Sequence, residues 1–442
     1  MVREPFRGSV VLVCMGRLCL GKVPVESLAR FKREKPLKGP EGLCKGVYEP
    51  REPHRCRLRA VVEKELDRVQ DLWESFASSL GPWLFRYREA AERFLDCGIP
   101  SKGFAHFKCP SCGHSLKVAF SCKTRLCPSC SRKRMTIWSE WLASEVLLDL
   151  PHRHWVLTVP KEVRKHFIRK RWLLNKLSAT AASMLMRQMA VRCPEAGCVP
   201  GVVAVVQTSG DTLNFNPHVH IIATTHCLSP SGRLFKVPYI PYVKFARIWK
   251  TAVLFLLKNT KCIDQAEADY LWKRYLNGFN LNGETQDWVY DLSVSKRLAQ
   301  YVLKPAMAES RVVFYDPERS KVFYVGRGPK DPETRKRRSM RMCMDSAEFL
   351  ARLLVQVPPK GQKLVNYYGF YSNKVRGMWA KRGFRLSTLV KRIRRLKRER
   401  SWRTQLWRVY EVDPLICPSC GEEMVPLDLV FPPFSSILAQ GP

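Results

Sequence analysis

His218 and His220 flank a single valine in the stretch Asn214-Phe-Asn-Pro-His-Val-His-Ile-Ile. Alternate residues of a strand face the same side, so both imidazoles converge while Val219 turns into the core. Two imidazoles from one strand leave coordination positions open on a divalent ion, which can then polarise a phosphate and offset charge developing in the transition state. Alone, a His-x-His pair is structural about as often as it binds metal. Gln207 ends the preceding apolar run, and its side-chain oxygen completes the set if 202–208 pairs with 218–224; Asp211 is the rival third ligand. A second pair, His152-Arg-His154, is the weaker candidate, because it precedes the strand expected at 155–159 and has a charged middle residue. Tyr301 stands in Ser295-Lys-Arg-Leu-Ala-Gln-Tyr-Val-Leu-Lys-Pro, an expected helix over 293–304 that Pro305 terminates. A tyrosine hydroxyl can attack a phosphodiester, giving a 5′-phosphotyrosine and a free 3′-hydroxyl. Taken alone, a packed aromatic with its hydroxyl at the rim is the commoner role. Lys304, one turn on, either contacts the phosphate or is simply solvated.

Cysteines supply the second chemistry. Cys109-Pro-Ser-Cys112 and Cys127-Pro-Ser-Cys130 are two Cys-x-x-Cys pairs with fourteen residues between them, close to the spacing that lets four thiolates surround one tetrahedral zinc. Four closed thiolates leave no position for a substrate, so such a site is structural. Cys97, His106, His114 and Cys122 lie close enough in sequence to replace a ligand or to build an additional site. Cys417-Pro-Ser-Cys420 is half a site: it either binds metal with a distant partner or forms a tight turn. Seventeen cysteines is an odd number, and their Cys-x-x-Cys grouping favours zinc over disulfides in a reducing compartment.

The elements that must position these groups follow from periodicity. Leu58, Val61, Leu66, Val69, Leu72 and Phe76 recur at helical spacing, so helices lead into the cysteine module. Trp155–Pro160 and Val202–Thr208 read as strands around an amphipathic helix at 171–191, and His218–Thr224 as another strand. Helices follow near 240–275, then a hairpin of 312–315 with 322–325, then a basic linker or exposed loop over 327–341. The expected domains are a poorly ordered basic leader (1–57), a helical and zinc-binding module (58–142), a nicking domain (148–326) and a basic extension (327–442). The fold class is α+β, with a central antiparallel sheet and flanking helices. With 76 Lys and Arg against 39 Asp and Glu, the net charge of +37 favours nucleic acid over an acidic small molecule. Arg132, Lys133 and Arg134, beside the second cysteine pair, suit phosphate contacts. Residues 359–408 mix Tyr367, Tyr368, Phe370, Tyr371, Trp379 and Phe384 with cations, either a stacking platform for single-stranded DNA or an ordinary core. No apolar run near the start is long enough to span a membrane, and no secretory signal is evident, so the expected location is the cytoplasm.

From about residue 93 to 427 the order of these motifs resembles the IS91 family of rolling-circle transposases, within the wider group of His-hydrophobe-His endonucleases. Its most specific pieces are Phe120-Ser-Cys-Lys before Cys127-Pro-Ser-Cys130, the run Pro151-His-Arg-His-Trp-Val-Leu-Thr-Val-Pro, Gln207 to His220, Tyr301-Val-Leu-Lys-Pro, and the tail Tyr410 to Gly421. The resemblance implies a zinc-binding module and metal-dependent cleavage of single-stranded DNA at element ends by magnesium or manganese, with His218 and His220 as ligands and Tyr301 as nucleophile. Many relatives carry two tyrosines four residues apart; Arg297 stands at the first position here, so the chain resembles the single-tyrosine, common-region branch. A plasmid replication initiator or relaxase using the same chemistry is the nearest alternative, and a zinc-dependent DNA-binding protein without enzymatic activity the more distant one.

Overall fold

The computed structural model describes residues 48–81, 84–148, 150–238, 240–283, 300, 304–330, 337–381, 402–403, 406–407 and 412–431. The leader up to residue 47, Arg297 and Tyr301 with nearly all of the expected helix at 293–304, Phe384 and the basic run 391–400 lie outside them. The chain is an α+β protein that divides into two compact units, one joining Pro100–Phe120 to the described residues from Leu415 on, the other formed by 44–99 and 121–414. These limits do not coincide with the boundaries expected at 57, 142 and 326.

In the larger unit, helices α1 (Arg57–Asp71), α2 (Trp73–Leu80) and α3 (Leu84–Leu95) come first. Leu58, Val61, Val62, Leu66 and Val69 form one buried stripe of α1, the apolar face that the helical spacing requires. After α4 (Pro128–Trp141) the chain enters β3 (His152–Thr158), then α5 (Arg164–Arg169) and α6 (Leu173–Ala190), then the long strands β4 (Val199–Ser209) and β5 (Phe215–Leu228). Strand β6 (Leu234–Lys236), helices α7 (Tyr242–Asn259) and α8 (Gln265–Arg274), and β7 (Leu281–Gly283) follow. Further on, β11 (Val365–Gly369) closes an antiparallel sheet of order β11-β4-β5-β3-β7, with β6 paired to β5. Because side chains alternate, Val202, Ala204, Val206, Val219, Ile221 and Ala223 pack in the main core on one face. Val203, Val205 and Ile222 turn to a second core on the other face, with Phe370, Tyr371 and Trp379. Those three aromatics, which composition left open as a stacking platform, are therefore core residues: Phe370 and Tyr371 fill the space against the sheet left by Gly201, where a Cβ would stand 2.3 Å from the Phe370 ring, and Trp379 packs in the same cluster.

A three-stranded sheet of order β10-β9-β8 uses β8 (Val312–Asp316), β9 (Lys321–Lys330) and β10 (Arg337–Asp345), ahead of α9 (Ser346–Leu354). The expected hairpin is present. The exposed loop expected at 327–341 is corrected: much of it continues β9 and opens β10, whose residues pair in register from Ser339↔Arg327 to Asp345↔Lys321. Charge on an edge strand is compatible with pairing, and that is why composition misled there. Helix α10 (Asn373–Lys381) follows β11.

The smaller unit holds a three-stranded antiparallel sheet, β1 (Phe104–Lys108), β2 (Ser115–Ala119) and β12 (Val425–Val430), in the order β12-β1-β2. Among the described residues no helix is long and apolar enough to cross a membrane.

Candidate metal and DNA site

Strand β5 delivers the histidine pair. Its register sets His218 opposite Gln207 on β4 and Thr158 on β3, and His220 opposite Val205 and Val156. Residues directly opposed share a face, so Gln207 stands beside His218 as the strand-pairing expectation required. His218 and His220 are 8% and 2% exposed, with ring centroids 4.9 Å apart. His218 Nδ1 lies 2.7 Å from the Asn216 carbonyl oxygen, which can only accept; that nitrogen carries the proton and Nε2 keeps its lone pair. His220 Nδ1 lies 3.0 Å from His154 Nε2, the two rings stacked nearly parallel.

Burial holds all of these rings neutral. It lowers the His218 pKa, with Arg164 adding to the effect, takes His220 well below the usual imidazole range, and lowers His154 to about 4. A neutral imidazole is the form that ligates metal, so the donor set suits a divalent ion. His152-Arg-His154, the weaker pair on the sequence because its strand is expected only from 155, is corrected in its setting: β3 begins at His152, and both histidines are buried on it. His152 Nε2 meets the Tyr371 hydroxyl at 2.7 Å, and only His154 reaches the His218–His220 pair.

The pair opens into a cavity of about 280 Å³ lined also by Gln207, Asp211, Lys304, Arg311, Arg327 and Ser339. Burial and the nearby Arg327 and Arg311 lower the Lys304 pKa, while Asp211 opposes them. Arg311 donates to the carbonyl oxygens of Val325 and Asp211 at 2.7 and 3.0 Å. Two adjoining cavities share Lys304 and Pro305; Arg125 and Arg134 line one, and Arg51 and Arg132 the other, of about 930 Å³. Lys304, Arg311 and Arg327 therefore border the histidine pair, and Lys304 also lines the two adjoining cavities with their further arginines. Of the residues expected to touch DNA, Lys304, Arg132 and Arg134 line this trough. Lys133, on the same turn of α4, is half-buried and its pKa is pushed down to about 8, mainly by burial. Arg311 and Arg327 carried no motif that would have singled them out.

The cysteines group differently from the expected single site. Cys97, Cys122, Cys127 and Cys130 form one cluster; Cys109 and Cys112 join Cys417 and Cys420 in another. The expectation that Cys109, Cys112, Cys127 and Cys130 surround one ion is thereby corrected. Cys127 caps α4, its sulfur accepting from the Cys130 N–H, whereas Cys109 and Cys112 sit in the turn between β1 and β2. In the first cluster Cys97–Cys130, Cys122–Cys130 and Cys97–Cys127 sulfurs lie 3.7, 3.6 and 3.8 Å apart. A zinc tetrahedron with bonds of ~2.3 Å has edges of about 3.8 Å. Arg51 donates to Ser129 Oγ at 2.8 Å and lies 3.7 Å from Cys130 Sγ, a cation against the thiolate charge. His106 and His114 bond instead to Ser115 at 2.6 Å and Ser419 at 3.2 Å.

A family model described as a transposase zinc-binding domain matches residues 68–159, and one described as a putative transposase matches 201–377. The transposase for insertion sequence element IS801 of Pseudomonas savastanoi pv. phaseolicola is 26% identical over 357 residues, covering 76% of this chain and 82% of the relative. The putative transposase y4qJ of Sinorhizobium fredii is 25% identical over 292 residues, 61% of this chain and 70% of the relative. No solved structure matches. A zinc-binding cysteine module joined to an antiparallel-sheet domain, matched by transposases along most of its length, defines a transposase, an enzyme that acts on DNA. In both parts the chain is similar to transposases of the IS91 kind.

Proposed function

We propose that this transposase nicks single-stranded DNA at element ends through Tyr301, assisted by a magnesium or manganese ion held by His218 and His220, and so drives rolling-circle transposition. The observation that carries the reading is the His218–His220 pair opening into the cation-lined cavity that contains Lys304. Tyr301 is three residues from Lys304 in sequence, so covalent geometry alone tethers its Cα within about 11 Å of the Lys304 Cα. The bound ion would supply electrostatic stabilisation of charge on the phosphate oxygens. Asn216 and His154 would orient the two ligand rings, and Gln207 or Asp211, which line the same cavity, would contribute the third ligand.

In this scheme the Tyr301 oxygen, having lost its proton, forms a bond to phosphorus as the bond from phosphorus to the 3′ oxygen breaks. The departing oxygen takes up a proton to give a 3′-hydroxyl, and the 5′-phosphate stays on the tyrosine. Lys304, Arg311 and Arg327 hold the strand by its phosphates, with Arg132, Lys133 and Arg134 as further contacts. The cluster of Cys97, Cys122, Cys127 and Cys130 holds a structural zinc. The test is to incubate the full chain with 3′-labelled single-stranded DNA and manganese and to look for a denaturant-resistant adduct. Wild type forms one, and Tyr301→Phe and His218→Ala/His220→Ala do not. An equal adduct from Tyr301→Phe would move the nucleophile elsewhere, and none from wild type would defeat the nicking reading.

A further inference from the structure

The sequence Cys-Pro-Ser-Cys-Gly occurs twice, at 109–113 and 417–421, and the backbone treats the two copies alike. The Cys109 N–H donates to the His114 carbonyl at 2.8 Å and the Gly113 N–H to the Cys109 carbonyl at 3.1 Å. The Cys417 N–H donates to the Glu422 carbonyl at 2.8 Å and the Gly421 N–H to the Cys417 carbonyl at 3.0 Å. Both glycines are left-handed, φ 75° and 79°, a conformation that lets each turn close and that other residues rarely adopt. The sulfurs are served alike as well. Backbone N–H groups of Ser111 and Cys112 face Cys109, and that of His114 faces Cys112; those of Ser419 and Cys420 face Cys417, and that of Glu422 faces Cys420. Donors aimed at sulfur stabilise thiolate, the metal-binding form.

The sheet brings the two turns together. Strand β1 ends with Lys108 paired to Val425, the first residue of β12, so the turn that follows β1 meets the turn that precedes β12. Cys109 and Cys420 sulfurs lie 3.4 Å apart and Cys112 and Cys417 sulfurs 3.6 Å, pairs separated by 311 and 305 residues of chain. These distances fit the edges of a zinc–thiolate tetrahedron, about 3.8 Å, and exceed a disulfide bond of ~2.05 Å. We propose that Cys109, Cys112, Cys417 and Cys420 hold a second structural zinc ion, which clasps β12 to the β1–β2 hairpin and makes the C-terminal segment part of the zinc module. The third copy, Cys127-Pro-Ser-Cys130-Ser, lacks the glycine and starts a helix, which is why it takes other partners.

The clasp is independent of the nicking reading, and its test needs no DNA. Metal analysis of the purified full chain should give two zinc ions per molecule, and Cys417→Ser/Cys420→Ser should give one. A single zinc in wild type, or two in the double variant, would overturn it. Wild type alone offers a second readout that does not depend on the variant's folding. Cys112 and Cys420 are exposed side chains, yet both should resist iodoacetamide until a chelator removes the metal. Labelling equal before and after chelation, or absent in both, would equally sink the clasp.

Discussion

His154 meets His220 at 3.0 Å across adjacent strands, and both rings are buried enough to stay neutral at physiological pH. A ring nitrogen bonded to a neighbour fixes which nitrogen of His220 is offered to an ion and which way the ring points. On the proposed reading, in which His220 holds the ion, His154 is a positioning residue. His154→Ala is expected to weaken manganese binding by about 10- to 100-fold, read by titration of the full chain, while nicking recovers at saturating manganese. Unchanged affinity, or activity that excess metal does not restore, would assign His154 a purely structural role. The two-residue spacing of His218 and His220 was enough to put both rings on one face. The part of His154 was hidden because it depends on where β3 begins, and the charged Arg153 between the histidines argued for a strand starting later.

At the scale of elements, β3 is tied to the segment after β11 by the 2.7 Å bond from His152 to Tyr371, whose hydroxyl also accepts from the Leu148 N–H. Burial lowers the His152 pKa to about 4 from 6.5 in an unfolded chain. The unfolded chain therefore binds the extra proton first as pH falls. His152 costs nothing above pH 6.5, and stability declines between about 6.5 and 4, by roughly 3 kcal/mol at most. Urea midpoints measured across that range should flatten in His152→Asn relative to wild type; parallel curves would show that other groups carry the acid sensitivity. The alternation of β4 and β5 and the amphipathic α1 were readable from periodicity, because solvent and core impose it locally. Strand β10 and the burial of Phe370, Tyr371 and Trp379 were not, since pairing with β9 and packing against Gly201 are decided by distant residues.

For the whole molecule, the charge of +37 far exceeds what a fold requires, and part of it is gathered along the trough of Arg51, Arg132, Arg134, Lys304, Arg311 and Arg327. Each phosphate a cation neutralises adds about 0.7 to the salt slope of single-strand affinity. Lys304→Ala and Arg134→Ala should each lower that slope by about this much in titrations at several salt concentrations; slopes identical to wild type would place the strand elsewhere on the surface. The sequence by itself determined the α+β class, the strand that presents His218 and His220, the zinc-suited cysteines and the demand for a polyanionic partner. All of these rest on residue type and on spacing within a few positions of the chain. Only the tertiary structure decided which cysteines stand together, that His154 contacts His220, and that Arg311 and Arg327 border the same cavity as Lys304. Those are contacts between residues far apart in sequence, set by strand pairing and packing, and three copies of Cys-Pro-Ser-Cys look interchangeable until the fold assigns each its neighbours.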